Sequence, residues 1–140
     1  MISLEQANAI TTAAIGEGAR LGLKSLAIAV VDAGGHLITY QRQDGASIGR
    51  FAIAMGKACG ALFLGVSSRA IVEMAAERPT FIASAAAIAP SGLIPAAGGV
   101  IVIDVAGTVI GAVGISGDTS DNDEACALVG IAHAGLKAKL

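Results

Sequence analysis

One phrase occurs twice in this chain. VVDAGGHLI (residues 30–38) and VIDVAGTVI (residues 102–110) each run apolar stretch, Asp, two residues, Gly, apolar stretch, and Asp32 and Gly35 are offset from Asp104 and Gly107 by the same 72 positions. D-x-x-G suits a type I turn, in which the Asp carboxylate accepts turn amides and the Gly tolerates positive φ. The β-branched residues on either side favour extended backbone, so each phrase predicts a β-hairpin. Two hairpins with helical stretches between and outside them outline one sheet dressed with helices.

The 140 residues suffice for a single domain over residues 1–140. Charged residues make up 14% of the chain, where about 25% is ordinary. Surface this apolar is expected to be shared between copies, which predicts a homo-oligomer. The net charge is −2, the nine basic residues are scattered and aromatics are 3%, so nucleic acid is not expected as a partner. No basic-then-apolar leader opens the chain, and cytoplasm is the expected location. Residues 79–103 carry no charge, yet Pro90, Gly92, Pro95, Gly98 and Gly99 break the run; a helix, a loop and a strand are expected there rather than a membrane span. Cys59 and Cys126 sit in helical patterns and are expected as buried, reduced thiols.

Ser3 and Gln6 have capping-box spacing ahead of an apolar stripe that ends at Gly22, which predicts a first helix. Hairpin strands are expected at residues 26–31 and 37–42, followed by a second helix over 48–64. That helix is apolar nearly all round except Arg50 and Lys57, two turns apart on one face. Ser67 or Ser68 caps a short third helix stopped by Arg78-Pro79, and residues 81–89 suggest a further turn or two. The second hairpin takes residues 100–104 and 108–116. A last helix is expected from Asn122 to Lys139, capped by Ser120 or Asp121, with Lys137 and Lys139 at the negative end of its dipole. The fold class is therefore α+β: a three-layer α/β/α arrangement on an antiparallel sheet.

RQDGA (42–46), KACGA (57–61), AAGGVIVID (96–104) and GAVGISGDTSDNDEA (111–125) together resemble the GlcG/HbpS-like proteins. This is a haem-binding, glycolate-operon family related to the C-terminal domain of some cobalamin adenosyltransferases. The resemblance runs end to end and implies a profilin-like fold with about five strands, self-assembly, and binding of haem or a corrinoid. Three positions depart from it: Gln43 where Met is frequent, Gly60 where Thr is common, and Ile101 where GGVP is usual.

Arg42, Asp44 and Lys57 stand at a strand end, in the adjoining turn and on a mostly buried helix. A buried cation must be paired or meet an anion. Either Arg42 and Lys57 receive a carboxylate, such as a haem propionate or a small organic acid, or they form an internal salt bridge with Asp44. Gly98, Gly99 and the Gly114-Ile115-Ser116-Gly117 run let backbone approach a ligand, or else reflect tight packing. His36, just after a turn, is a candidate haem ligand if a neighbouring subunit covers it; Tyr40, Met55 and Met74 are others, and His133 reads as a surface residue. DTSDND from Asp118 lacks the Gly and Glu of a calcium loop, and GISG is no nucleophile elbow. The expected function is ligand binding, for haem or a related tetrapyrrole. The alternative is an enzyme acting on a small organic carboxylate, with Arg42 as clamp and Lys57 or Asp44 as acid/base.

Overall fold

The twin phrases form twin turns. A computed structural model describes residues 1–140. In it, Asp32 Oδ1 accepts the amides of Gly34 and His36, each at 2.9 Å, and Asp104 Oδ1 accepts those of Ala106 and Thr108, also at 2.9 Å. Gly35 and Gly107 close the turns at φ of 81° and 84°. The matching irregularity continues into the strands, since both hairpins shift register one step before the turn, at Val30/Val31 and at Val102/Ile103.

The first hairpin comprises β1 (Ala27–Asp32) and β2 (Leu37–Arg42); the second comprises β3 (Gly99–Ile103) and β4 (Val109–Ser116). They join through β1 and β4 into a five-stranded sheet of order β2-β1-β4-β3-β5, antiparallel throughout, with β5 at Lys137–Lys139. Helices α1 (Leu4–Leu21) and α5 (Ser120–His133) cover one face. Helices α2 (Arg50–Leu64), α3 (Ser68–Glu77) and α4 (Pro79–Ile88) lie on the other. The result is the expected α+β, profilin-like arrangement in three layers.

On the α1/α5 face, Ile28, Val30, Val100, Val102, Val113 and Ile115 interlock with Ile10, Cys126 and Ile131 in the main core. The opposite face is paved with small residues: Ala27, Ala29, Gly99, Ala112 and Gly114 alternate with the core set along their strands. Helix α2 therefore rests almost on bare backbone. A Cβ on Gly114 would run into the Ala54 carbonyl oxygen, and one on Gly99 into the Lys57 carbonyl oxygen.

Helix α1 has its capping box, with Ser3 and Gln6 exchanging hydrogen bonds, and ends at Gly22 in the left-handed region. Pro79 stops α3 and serves as the first residue of α4, which spans ten residues rather than a turn or two. Two expectations for the C-terminal part are corrected. The N-cap of α5 is Thr119, whose hydroxyl accepts the Asn122 amide at 3.2 Å, and neither Ser120 nor Asp121 fills that role. The helix also stops at His133 instead of continuing to Lys139. Gly135, at φ 75°, turns the chain so that Lys137–Lys139 pairs with Ile101–Ile103. Leu136 still packs against the main core, which is why the apolar period read straight through the break. The Ser67 hydroxyl ties β5 down, accepting the Ile101 amide at 3.0 Å and donating to the Lys139 carbonyl. No single helix is long and apolar enough to cross a membrane.

Candidate functional site

Helix α2 carries polar chemistry at its start and in its middle, and an apolar cleft at its end. Arg50 and Lys57 share a face, as their spacing requires, and both aim at the end of β4. Arg50 donates to Ser116 Oγ at 2.9 Å, and Lys57 donates to the Ile115 carbonyl at 2.9 Å. The ammonium of Lys57 lies 3.1 Å from Asp123 Oδ2, with the two side chains 3% and 1% exposed. Burial lowers the pKa of Lys57, Asp123 draws it partly back up, and the nearby Arg50 charge lowers it further. Burial likewise raises the Asp123 carboxyl against the opposing pull of the Asp118 amide and Lys57.

The salt-bridge reading of Lys57 is thus correct in kind and wrong in partner. Asp44 is exposed and sits in the turn after β2, where its carbonyl accepts the Ser25 hydroxyl at 2.5 Å. Arg42 is exposed as well. It nevertheless occupies the same row of the sheet as Ala27 and Ser116, on the face that α2 covers. Gly99 packs beneath α2, and Gly98 packs beside the buried pair: a Cβ on Gly98 would stand 2.7 Å from the Ile115 carbonyl oxygen and 2.9 Å from Lys57 Nζ. Ser116 is buried under the Arg50 guanidinium.

The acids at the start of α5 are all engaged. Arg69 grips Glu124 through Nε at 2.9 and 3.0 Å and reaches Asp121 at 2.5 Å. Asp118 accepts the Asn122 side chain and the Lys24 and Thr119 amides, which hold its carboxyl down to about 2. Asp123, Glu124, Arg50 and Arg69 complete the polar set, and in the sequence they are marked only as charges in a sparsely charged chain, at the starts of α2, α3 and α5.

At the other end of α2, Cys59, Leu62 and Phe63 face the first turn (Ala33, Gly34, Gly35) and the loop from Ala89 to Gly92 across a cleft of about 210 Å³. His36 follows this turn in sequence without lining the cleft; it is 83% exposed, with Nδ1 3.2 Å from Asp32 Oδ1 and its ring against Gly34. Nε2 points away from that carboxylate and is the nitrogen available to an outside partner. Cys59 donates to the Gly35 carbonyl at 3.4 Å, and burial pushes its thiol up. Tyr40 packs edge-on against Phe51, ring centroids 4.7 Å apart, while Met55 packs against the Val31/Ala58 cluster and Met74 against the α3/α4 core. His133 is exposed.

The departures from the resembling family have local reasons. Gln43 extends the β1–β2 ladder, its amide donating to the Leu26 carbonyl at 2.9 Å and its Oε1 accepting the Leu26 amide at 2.8 Å. Gly60 lets the Gly92–Leu93 backbone settle on α2, where a Cβ would come within 2.9 Å of Leu93 Cα. Ile101 supplies the N–H that Ser67 accepts, a donor that proline lacks.

In comparisons with known proteins, the family described as "Haem degrading protein HbpS-like" matches residues 2–132. Among solved structures, the PduOC:haem complex has a TM-score of 0.86 at 21% identity, covering 99% of this chain and 98% of that one. HbpS has a TM-score of 0.80 at 27% identity, covering 93% and 87%. The ORFY protein of Klebsiella pneumoniae has a TM-score of 0.86 at 26% identity, covering 96% and 90%. No curated protein matches the chain.

Proposed function

Starting from the fact that this chain belongs to the HbpS-like haem-degrading family, we propose that it binds haem or a closely related tetrapyrrole in the cleft beside His36. The observation that carries this reading is a cleft walled by Leu62 and Phe63 and floored by the Gly34-Gly35 turn, with the exposed His36 imidazole directly after that turn and its Nδ1 3.2 Å from Asp32 Oδ1. A histidine with an oriented outer nitrogen next to an apolar wall fits an iron tetrapyrrole. When bound, haem would supply a redox-active iron, and His36 is the residue that would hold it.

One chain provides one wall only. The cleft holds about 210 Å³, below the roughly 300–1,000 Å³ of ordinary small-molecule sites. The second wall comes from another copy of the chain, and exposed Ile48, Ile88 and Val105, at 89%, 74% and 90%, supply apolar surface for such assembly. The unpaired thiols of Cys59 and Cys126 suit a reducing, cytoplasmic setting. The carboxylate-enzyme alternative finds less support, because Lys57 is sealed against Asp123 and Asp44 is far more open to water than an acid/base tuned by burial.

Haemin titration tests the proposal, with cobalamin titrated in parallel. The expected result is a Soret shift saturating near one equivalent per chain, a different Soret position or weaker binding in His36→Ala, and a multimeric mass by light scattering. No saturable shift, or a titration identical in His36→Ala and Phe63→Ala, rejects the site.

A further inference from the structure

At the start of α2, about nine residues and roughly 13 Å along the helix from Cys59, lies a second cleft of about 420 Å³ lined by Lys24, Ser25, Gly45, Ala46, Ser47, Arg50 and Gly117. Ala46 is the one apolar side chain among them. Among the chain's cations without a carboxylate partner, Arg50 alone is not exposed: Lys24, Arg42, Arg78, Lys137 and Lys139 all face solvent. Arg20 pairs with Glu17, Arg69 with Asp121 and Glu124, and Lys57 with Asp123; Arg78 stacks on Phe81. Arg50 is partly buried, yet its only side-chain partner is the neutral Ser116 hydroxyl, and no carboxylate lies within 4.0 Å of it. A guanidinium has five N–H donors, so most of this fork is uncommitted.

The surroundings reinforce the positive charge. Lys24 stands on the rim, and Arg42 ends the sheet row that runs through Ala27 to Ser116. Helix α2 opens here with no acid in its first turn and no side-chain cap, which adds the positive end of its dipole. Two acids stand nearby and keep their charge, Asp118 with its oxygens on the Asn122 side chain and the amides of Lys24 and Thr119, and Asp44 exposed in the turn; neither forms an ion pair with Arg50. A partly desolvated arginine without a counter-ion is costly unless an anion completes it.

We infer that this cleft is a binding site for the oxyanion head of a small polar metabolite, a carboxylate or a phosphate, gripped by Arg50 and supported by Lys24 and the Ser47 hydroxyl. Planar recognition by a guanidinium fork suits either group. The site is separate from the His36 cleft and does not depend on tetrapyrrole binding.

The test follows thermal unfolding of the full chain with added succinate or inorganic phosphate, against sodium chloride at matched ionic strength. A saturable rise in Tm with one anion and not with chloride is expected; which anion acts distinguishes carboxylate from phosphate. Arg50→Gln is expected to weaken the apparent affinity by about tenfold or more, and the surface substitutions Lys24→Gln and Ser47→Ala to weaken it by smaller factors, with haemin titration unchanged in all three. If Arg50→Gln does not fold, the Lys24→Gln/Ser47→Ala pair decides. No saturable rise with either anion, or unchanged affinity in the folded variants, overturns the inference.

Discussion

Replacing Lys57 with Met removes the ammonium and leaves an unbranched apolar chain one atom shorter. Asp123 is then left 1% exposed, with the Asp118 amide at 3.0 Å on Oδ1 and nothing in place of the ion pair at 3.1 Å on Oδ2. Breaking a buried pair from one side costs about 3–5 kcal/mol, which for a chain of this size is a fall in Tm on the order of 10–20 °C. The pH dependence carries a sign. Asp123 already titrates above its ordinary value because of burial, and Lys57 is one of the influences holding it down, so the variant raises it further. A carboxyl raised in the fold keeps its proton longer than in the unfolded chain. The deficit is therefore small below about pH 4 and grows as pH rises through the window between the unfolded and folded pKa values. Urea unfolding at pH 4 and pH 8 measures this. The double variant Lys57→Met/Asp123→Leu removes both charges and is expected to recover to within about 1–2 kcal/mol of the parent, the residue being the orphaned Asp118 amide. A single-variant loss within about 0.5 kcal/mol, or a loss independent of pH, refutes the buried-pair argument.

Ser67→Ala orphans the Ile101 amide and releases the Lys139 carbonyl, so a loss of about 1–3 kcal/mol is expected. Hydrogen exchange locates the effect, with amides of β5 and Ile101 exchanging faster and those of α1 unchanged; uniform protection contradicts the tie. Asp118, held down to about 2, contributes stability that is present above about pH 4 and lost as pH falls towards 2. Asp118→Asn flattens that limb of a urea-midpoint profile, and an unaltered acid limb argues against it.

What could be read from the chain divides by sequence distance. Asp32 and Asp104 announce their turns because carboxylate, amides and glycine lie within five residues, and the two hairpins follow from them. Arg50 and Lys57 share a face because seven residues is two helical turns. The partner of Lys57 could not be read in the same way. Asp44 is 13 residues off and Asp123 is 66, and only the sheet decides which one reaches the ammonium. Strand β5 is harder still: Lys-Ala-Lys has no strand pattern, and its pairing depends on β3 and Ser67 being in place first. Gly98 and Gly99 announce a close approach but not its object, which is the α2 backbone over Gly99 and the Ile115 carbonyl and Lys57 ammonium beside Gly98.

A helix seated on glycine and alanine has consequences for how such a chain diversifies. Any side chain introduced into the floor under α2 meets main-chain carbonyls that cannot yield, so the middle of that contact is closed to drift. The two extremities, where Arg50 and Phe63 border open clefts, have side chains on the rod and not on its seat, and have room to change. Relatives built on this plan are therefore expected to exchange ligands by rewriting the tips of a fixed rod, and to leave its bed untouched.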